Sequence, residues 1–188
     1  MAGQLDGKRI LILATNGFEQ SELEVPRDKL KAAGANVEIV SPEAGEIKGW
    51  DVKDWGRPVK VDRKLGDASV ADFDAIVLPG GVLNPDQLRV NNAALELIRG
   101  FFDAGKIVAA ICHAPWLLVE AGIAKGCKLT SYKTIKTDVI NAGAKWEDAA
   151  VVTDNGVITS RNPGDLDAFS AKIIEEVKEG RHHRRAAA

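Results

Sequence analysis

Three short runs of unbroken apolar character stand out along the chain: residues 9–14 (RILILA), 74–78 (DAIVL) and 107–111 (IVAAI). Runs of this length without polar alternation fit strands buried on both faces of a sheet. Segments of helical spacing separate them. SELEVPRDKLKAAG follows the first run and stops at Gly34, a stretch from about Asn92 to Ala104 is closed by Gly105, and PWLLVE at 115–120 is closed by Gly122. A glycine just past the last periodic position is a common helix stop. Residues 36–41 (NVEIVS) alternate as a strand does, so the chain opens with a βαβ unit.

Between 47 and 61 the text IKGWDVKDWGRPVKV breaks into short alternating pieces and predicts an inserted β-hairpin. Further on come a strand over 128–131, a helix from near Thr134 to Gly143, a hairpin in AAVVTDNGVITS turning at Asn155-Gly156, and a last helix over 166–178. Strands that alternate with helices predict an α/β fold, a mainly parallel sheet covered on both faces, with ligands gathering at the carboxyl ends of its strands.

The 188 residues, 45% apolar and 28% charged, suit one domain, residues 1–188, with a full core. The formal net charge of -2, with acids and bases interspersed, gives no footprint for nucleic acid as the main partner. No apolar run approaches the roughly 20 residues that span a bilayer, and MAGQLDGKR has no secretory apolar core, so a soluble, cytoplasmic protein is expected. A reducing compartment disfavours a structural disulfide between Cys112 and Cys127. The terminal GRHHRRAAA holds two of the three histidines and has no packing logic. Residues 181–188 are read as a disordered tail, partly a fusion scar, and neither a metal nor a cofactor is expected.

Cys112 follows the third apolar run directly and precedes a helix, a strand-to-helix junction of the kind that lifts a nucleophile out of a sheet. A helix start supplies partial positive charge and free amides that favour thiolate. Most free cysteines are buried apolar side chains, and the end of a core strand suits one of those equally well. His113 is adjacent, but neighbouring residues on a turn point apart, so it is expected to serve a substrate or a third group more readily than Cys112. LPGG at 78–81 ends another strand at the same edge, where amides could hold an oxyanion. Glu19 and Glu22 follow the first strand on one helical face, and either could reach the thiol. A carboxyl that donates to a thiolate must be desolvated enough to keep its proton. Cys127 begins a strand with no histidine near it and reads as structural. The four tryptophans form no stacking stripe.

Taken in order, NGFEQSELEVP, VLPGG, NPDQLR, AAICHAPWLLVEAG, KLTSY, DVINAGAKW and TSRNPGDL resemble the PfpI family, also called ThiJ/PfpI, from about residue 9 to 177. The resemblance implies a flavodoxin-like three-layer α/β/α sandwich of the class I glutamine amidotransferase-like superfamily, with Cys112 on a nucleophile elbow and a small hairpin insertion. It places Cys112 on the family nucleophile, His113 on its partner histidine and Glu22 on the acid that hydrogen-bonds the thiol. Gly80 and Gly81, with the His113 amide, fall on the oxyanion hole. Asp86 falls on the acid that a neighbouring subunit contributes to complete a triad. The family founder has glutamate there, and aspartate has one methylene less reach. Arg161 matches a recurrent family arginine, and Glu19 lies close behind the site. A homodimer or higher homo-oligomer is implied.

Three functions follow from these residues. In the first, a stress-response enzyme uses the Cys112 thiolate on reactive aldehydes such as methylglyoxal or on their protein adducts, as glyoxalases and deglycases do. In the second, an intracellular cysteine peptidase acts through Cys112, His113 and Asp86. In the third, a redox sensor oxidises Cys112 to a sulfinate held by Glu22, without turnover. Glutamine amidotransfer is excluded, because it needs a histidine well downstream of the cysteine and the only ones are in the tail.

Overall fold

In the computed structural model, residues 3–182 are described. The chain runs β1 (Arg9–Leu13), β2 (Phe18–Glu19), α1 (Gln20–Ala32), β3 (Asn36–Ser41), β4 (Glu46–Asp51), β5 (Asp54–Lys60) and β6 (Arg63–Lys64). Then come β7 (Ala75–Leu78), α2 (Leu83–Leu88), α3 (Asn92–Asp103), β8 (Ile107–Ile111) and α4 (Pro115–Glu120). The last part holds β9 (Lys128–Leu129), α5 (Lys136–Asn141), β10 (Lys145–Trp146), β11 (Val151–Asp154), β12 (Val157–Ser160) and α6 (Leu166–Glu179).

Seven strands form one sheet in the order β11-β12-β8-β7-β1-β3-β6. Every pairing in it is parallel except β11 with β12, whose hairpin turns at Asn155 and Gly156, both at positive φ. The unbroken apolar runs are its centre, and the period of two along each strand divides them between two cores. Leu11, Leu13, Ile76, Leu78, Val108 and Ala110 face one side, where α3 and α4 add Leu97, Ile98, Phe101, Leu117 and Leu118. Ile10, Ile12, Val77, Ile107, Ala109 and Ile111 face the other, where α1 and α6 add Leu23, Leu30, Phe169 and Ile173. This is the flavodoxin-like three-layer sandwich that the sequence implied.

The expected hairpin is β4 with β5, and β2 extends it to a three-stranded sheet beside the amino end of α1. One expectation needs correction. The strand over 128–131 is confined to β9, which pairs with β10 outside the main sheet; beyond it the Thr130 amide donates to the Thr159 side chain at 2.8 Å instead of to a ladder. The helix near Thr134 begins as a 3-10 turn at Lys133–Ile135 before α5. The residue pattern predicts neither β2 nor α2. Of the tail, His182 is held by its amide, 2.9 Å from the Gly105 carbonyl, and residues 183–188 lie outside the described residues.

Candidate active site

Three strand ends, those of β1, β7 and β8, meet at one edge of the sheet, and the loops that leave them build the site. Cys112 follows β8 at φ +65°, left-handed backbone that costs a side-chain-bearing residue about 1–3 kcal/mol. Both of its peptide groups are fastened. Its amide donates to the Ser160 carbonyl at 3.1 Å, and its carbonyl accepts from the Tyr132 amide at 2.8 Å. The strained turn is thus clamped from two sides before α4 begins at Pro115, a residue suited to a first helical position.

The bend brings His113 against the thiol, contrary to the expectation that it points elsewhere. Its Nδ1 lies 3.2 Å from Cys112 Sγ, and its Nε2 lies 3.2 Å from Thr134 Oγ1. The ring stacks on Tyr132 at 4.9 Å and meets the edge of Trp116 at 5.2 Å. Burial lowers the pKa of His113, so at neutral pH the ring is uncharged and carries one N–H. When Nε2–H donates to Thr134, Nδ1 presents a lone pair to the S–H; when Thr134 donates instead, Nδ1–H faces the sulfur.

Glu22, in the first turn of α1, is fully buried, and its Oε2 accepts the Gly80 N–H at 2.8 Å. Burial pushes its pKa up to about 8, against the lowering effect of hydrogen bonds from Gly80, Cys112 and Gly81. Burial, and then the negative charge of Glu22, push the Cys112 thiol up as well, while the amides of Gly81 and His113 pull it down. Two negative charges cannot share so dry a site, so the thiolate requires Glu22 to hold the proton. Of the two acids that could have reached the sulfur, Glu22 is the one that does. Glu19 directly precedes α1 without a side-chain capping hydrogen bond and lies half-buried in the cavity wall.

The oxyanion assignment changes for Gly80, whose amide is already spent on Glu22. The Gly81 and His113 amides are the ones aimed at the sulfur. Both glycines are dictated by space. A Cβ on Gly80 would fall 2.5 Å from Glu22 Oε2 and 2.7 Å from Cys112 Cβ, and Gly81, at φ +77°, would meet the Gly17 carbonyl at 2.6 Å. Buried Asn84, missed in the sequence, steadies this turn by donating to the Pro79 carbonyl at 2.8 Å while its Oδ1 accepts the Thr15 amide. Thr134 and Tyr132 were also missed. Their signal was weak, an ordinary SYKT segment following a short strand.

Asp86 sits exposed on α2, away from the wall of the cavity, and within the chain Thr134 occupies the nitrogen of His113 that Asp86 would address. Arg161 is drawn off as well: it forks onto Asp165 at 2.8 and 3.0 Å and reaches Asp148 at 2.8 Å. Cys127 packs against the core on the α3/α4 side of the sheet, whereas Cys112 belongs to the opposite core. Among the described residues, Glu176, Glu179 and His182 bring three ligand atoms within 4.8 Å of one another at the end of α6. That cluster adjoins Gly105, at the amino end of β8, the far edge of the sheet from Cys112.

Cys112 and His113 open into a cavity of about 780 Å³, walled by Trp50, Val52, Val82, Leu83, Tyr132 and Pro163. A nucleophile, an uncharged imidazole, a proton-bearing carboxyl and two backbone amides aimed at the sulfur suit addition to a small carbonyl group.

Residues 8–176 match the model of the DJ-1/PfpI family. The chain is 44% identical over 170 residues to Deglycase PfpI of Pyrococcus furiosus, covering 90% of this chain and 99% of that one. It is 41% identical over 169 residues to Protein/nucleic acid deglycase 2 of Escherichia coli, covering 89% and 96%. Among solved structures, Drosophila melanogaster DJ-1beta superposes with a TM-score of 0.81 at 31% identity, covering 92% of this chain and 94% of that one. With this fold, this elbow and these relatives, the chain belongs to the DJ-1/PfpI family.

Proposed function

We propose that the chain is a cysteine-dependent deglycase that releases methylglyoxal adducts from amines and thiols as lactate. The observation that carries this reading is the bracketing of Cys112 Sγ by His113 Nδ1 at 3.2 Å on one side and by the buried Glu22 carboxyl on the other. Sγ adds to the aldehyde-level carbon of the adduct and the amine leaves with a proton, giving a hemithioacetal on Cys112. A proton then moves from that carbon to the neighbouring carbonyl carbon through an enediol, with His113 and Glu22 as the groups in reach, giving a lactoyl thioester. Water cleaves the thioester, so adduct plus water becomes free amine plus lactate, with no net oxidation. The deglycase names of the two relatives support the same chemistry.

The peptidase alternative asks more of the site. Asp86 from a neighbouring copy would have to displace Thr134 from Nε2 of His113. A homo-oligomer and a cytoplasmic location remain part of the proposal. No helix among the described residues is long and apolar enough to cross a membrane. Lactate released from glycated N-acetylarginine and N-acetylcysteine, measured for wild type and Cys112→Ser beside an unstructured peptide, tests the reading. Cysteine-dependent lactate is expected. Cysteine-dependent peptide cleavage without lactate would replace the deglycase with the peptidase, and equal activity in both proteins would remove Cys112 from the mechanism.

A further inference from the structure

The polar groups at the cavity floor are committed to one another. Glu22 holds Gly80 and the thiol, and His113 spans Cys112 and Thr134. Glu19 is different. Its backbone is fixed by the Gly80 carbonyl at 3.3 Å and its carboxylate accepts from the Val52 backbone, but the charge acting on it is that of Asp51, of the same sign. No lysine or arginine is among the described residues that wall the cavity. No cation's charge is among those acting on Glu19, and of the cations on surrounding segments Arg57 pairs with Glu24, Lys48 lies over the Trp55 ring, and Arg89 pairs with Glu120.

A half-buried carboxylate without a cation, in an otherwise apolar wall, sets a negative potential that draws positive ligands in and turns negative ones away. We propose that Glu19 makes the site cation-selective, holding the positive arm of a substrate whose carbonyl-derived carbon meets Cys112. The favoured class is the adduct of an arginine side chain, which keeps its guanidinium charge. A cysteine adduct is neutral, and an adduct of glutathione is anionic overall. For turnover the inference rests on the deglycase reading; for charge selection it does not.

The experiment therefore reads Cys112 itself. At pH 7.5 the protein is treated with methanethiosulfonate reagents carrying either a trimethylammonium or a sulfonate arm. In each reaction the Cys112 thiolate forms a disulfide with the reagent sulfur and methanesulfinate leaves. Labelling is followed by mass spectrometry of the Cys112 peptide, and the cationic-to-anionic rate ratio is compared with that of N-acetylcysteine amide. The wild-type ratio should exceed that of the free thiol by about tenfold, within the range that a focused local charge confers on encounter rates. Glu19→Gln should bring it close to the free-thiol value, and Glu19→Asp, which keeps the charge, should retain most of the excess. A wild-type ratio equal to the free thiol's, an unchanged ratio in Glu19→Gln, or no labelling by either reagent would overturn the proposal. In parallel, the preference in kcat/KM for the arginine over the cysteine adduct should fall about tenfold in Glu19→Gln. Lactate from neither adduct would sink the deglycase reading while the labelling ratio still decided the charge selection.

Discussion

At the scale of single residues, the behaviour of the site turns on where one proton sits. Glu22 ionises at about 8 in the fold against 4.5 when exposed, because burial penalises its charge. Below pH 4.5 the folded and unfolded chains both carry this proton and the fold suffers no penalty. Between 4.5 and 8 the unfolded chain gives the proton up freely while the folded chain keeps it, so stability falls as pH rises. Above 8 the full cost is present, on the order of 5 kcal/mol. Urea unfolding of wild type and Glu22→Gln at pH 5 and pH 8.5 should show the wild type losing stability across that interval by several kcal/mol more than the variant. Equal pH dependence in the two proteins would mean that Glu22 does not carry this proton. Thr134 offers a second test at this scale. It touches His113 and lies on the far side of the ring from the sulfur, a place from which its hydroxyl would position the imidazole. Thr134→Val should lower kcat about tenfold with little change in KM and shift the pH profile, and Thr134→Ser should restore both, because it keeps the hydroxyl. An equal loss in both variants would point to packing instead of the hydroxyl.

At the scale of elements, the site is a meeting of turns whose geometry leaves almost no freedom. The left-handed Cys112 is tolerable because β12 and the loop at Tyr132 hold its two peptide groups, and Gly80 lets the β7 turn approach close enough for its amide to reach Glu22. Gly80→Ala should cost about 1–3 kcal/mol of stability, as overpacked sites do, and abolish lactate formation, since the new methyl displaces both Glu22 and Cys112. Retained activity in a stable Gly80→Ala protein would show that the turn has slack the contacts do not suggest. These turns also mark what the sequence could and could not show. β1, β7 and β8 were legible because strands buried on both faces read as unbroken apolar runs, and the β11–β12 hairpin because Asn155-Gly156 supplies the positive φ its turn requires. Cys112 was legible from its place after such a run. β2 is two residues long and α2 carries a proline inside a six-residue span, so neither offers a period to detect. The Cys112–His113 contact depends on one unusual φ angle, and the pairing of His113 with Thr134 on a fold that brings distant segments together. Spacing records neither.

At the scale of the whole molecule, the cavity's apolar lip stands out against an otherwise ordinary mixed surface. Val52 is 74% exposed, Val82 53% and Leu83 45%, and all three line the mouth above Cys112, while Val90, just past α2, is 80% exposed. Large apolar side chains gathered at one place on a charged surface mark a contact site, and burial of such a patch is the main driving force for association. A second copy of the chain as the occupant would also bear on the chemistry, because it would narrow the open side of the cavity and carry Asp86, exposed on α2, toward a neighbour. If so, the wild type sediments as a multiple of the chain mass and Val82→Glu with Leu83→Glu sediments as a monomer, folded by circular dichroism. The same double variant should lose lactate formation if the neighbour shapes the site, and keep it if each chain holds a complete one. Asp86→Asn separates these outcomes further: under the deglycase reading it changes lactate formation by no more than about twofold, since Thr134 already holds the His113 nitrogen, whereas a triad completed between copies would lose 10²-fold or more. A monomeric wild type at micromolar concentration with full activity would confine the entire mechanism to the residues of one chain.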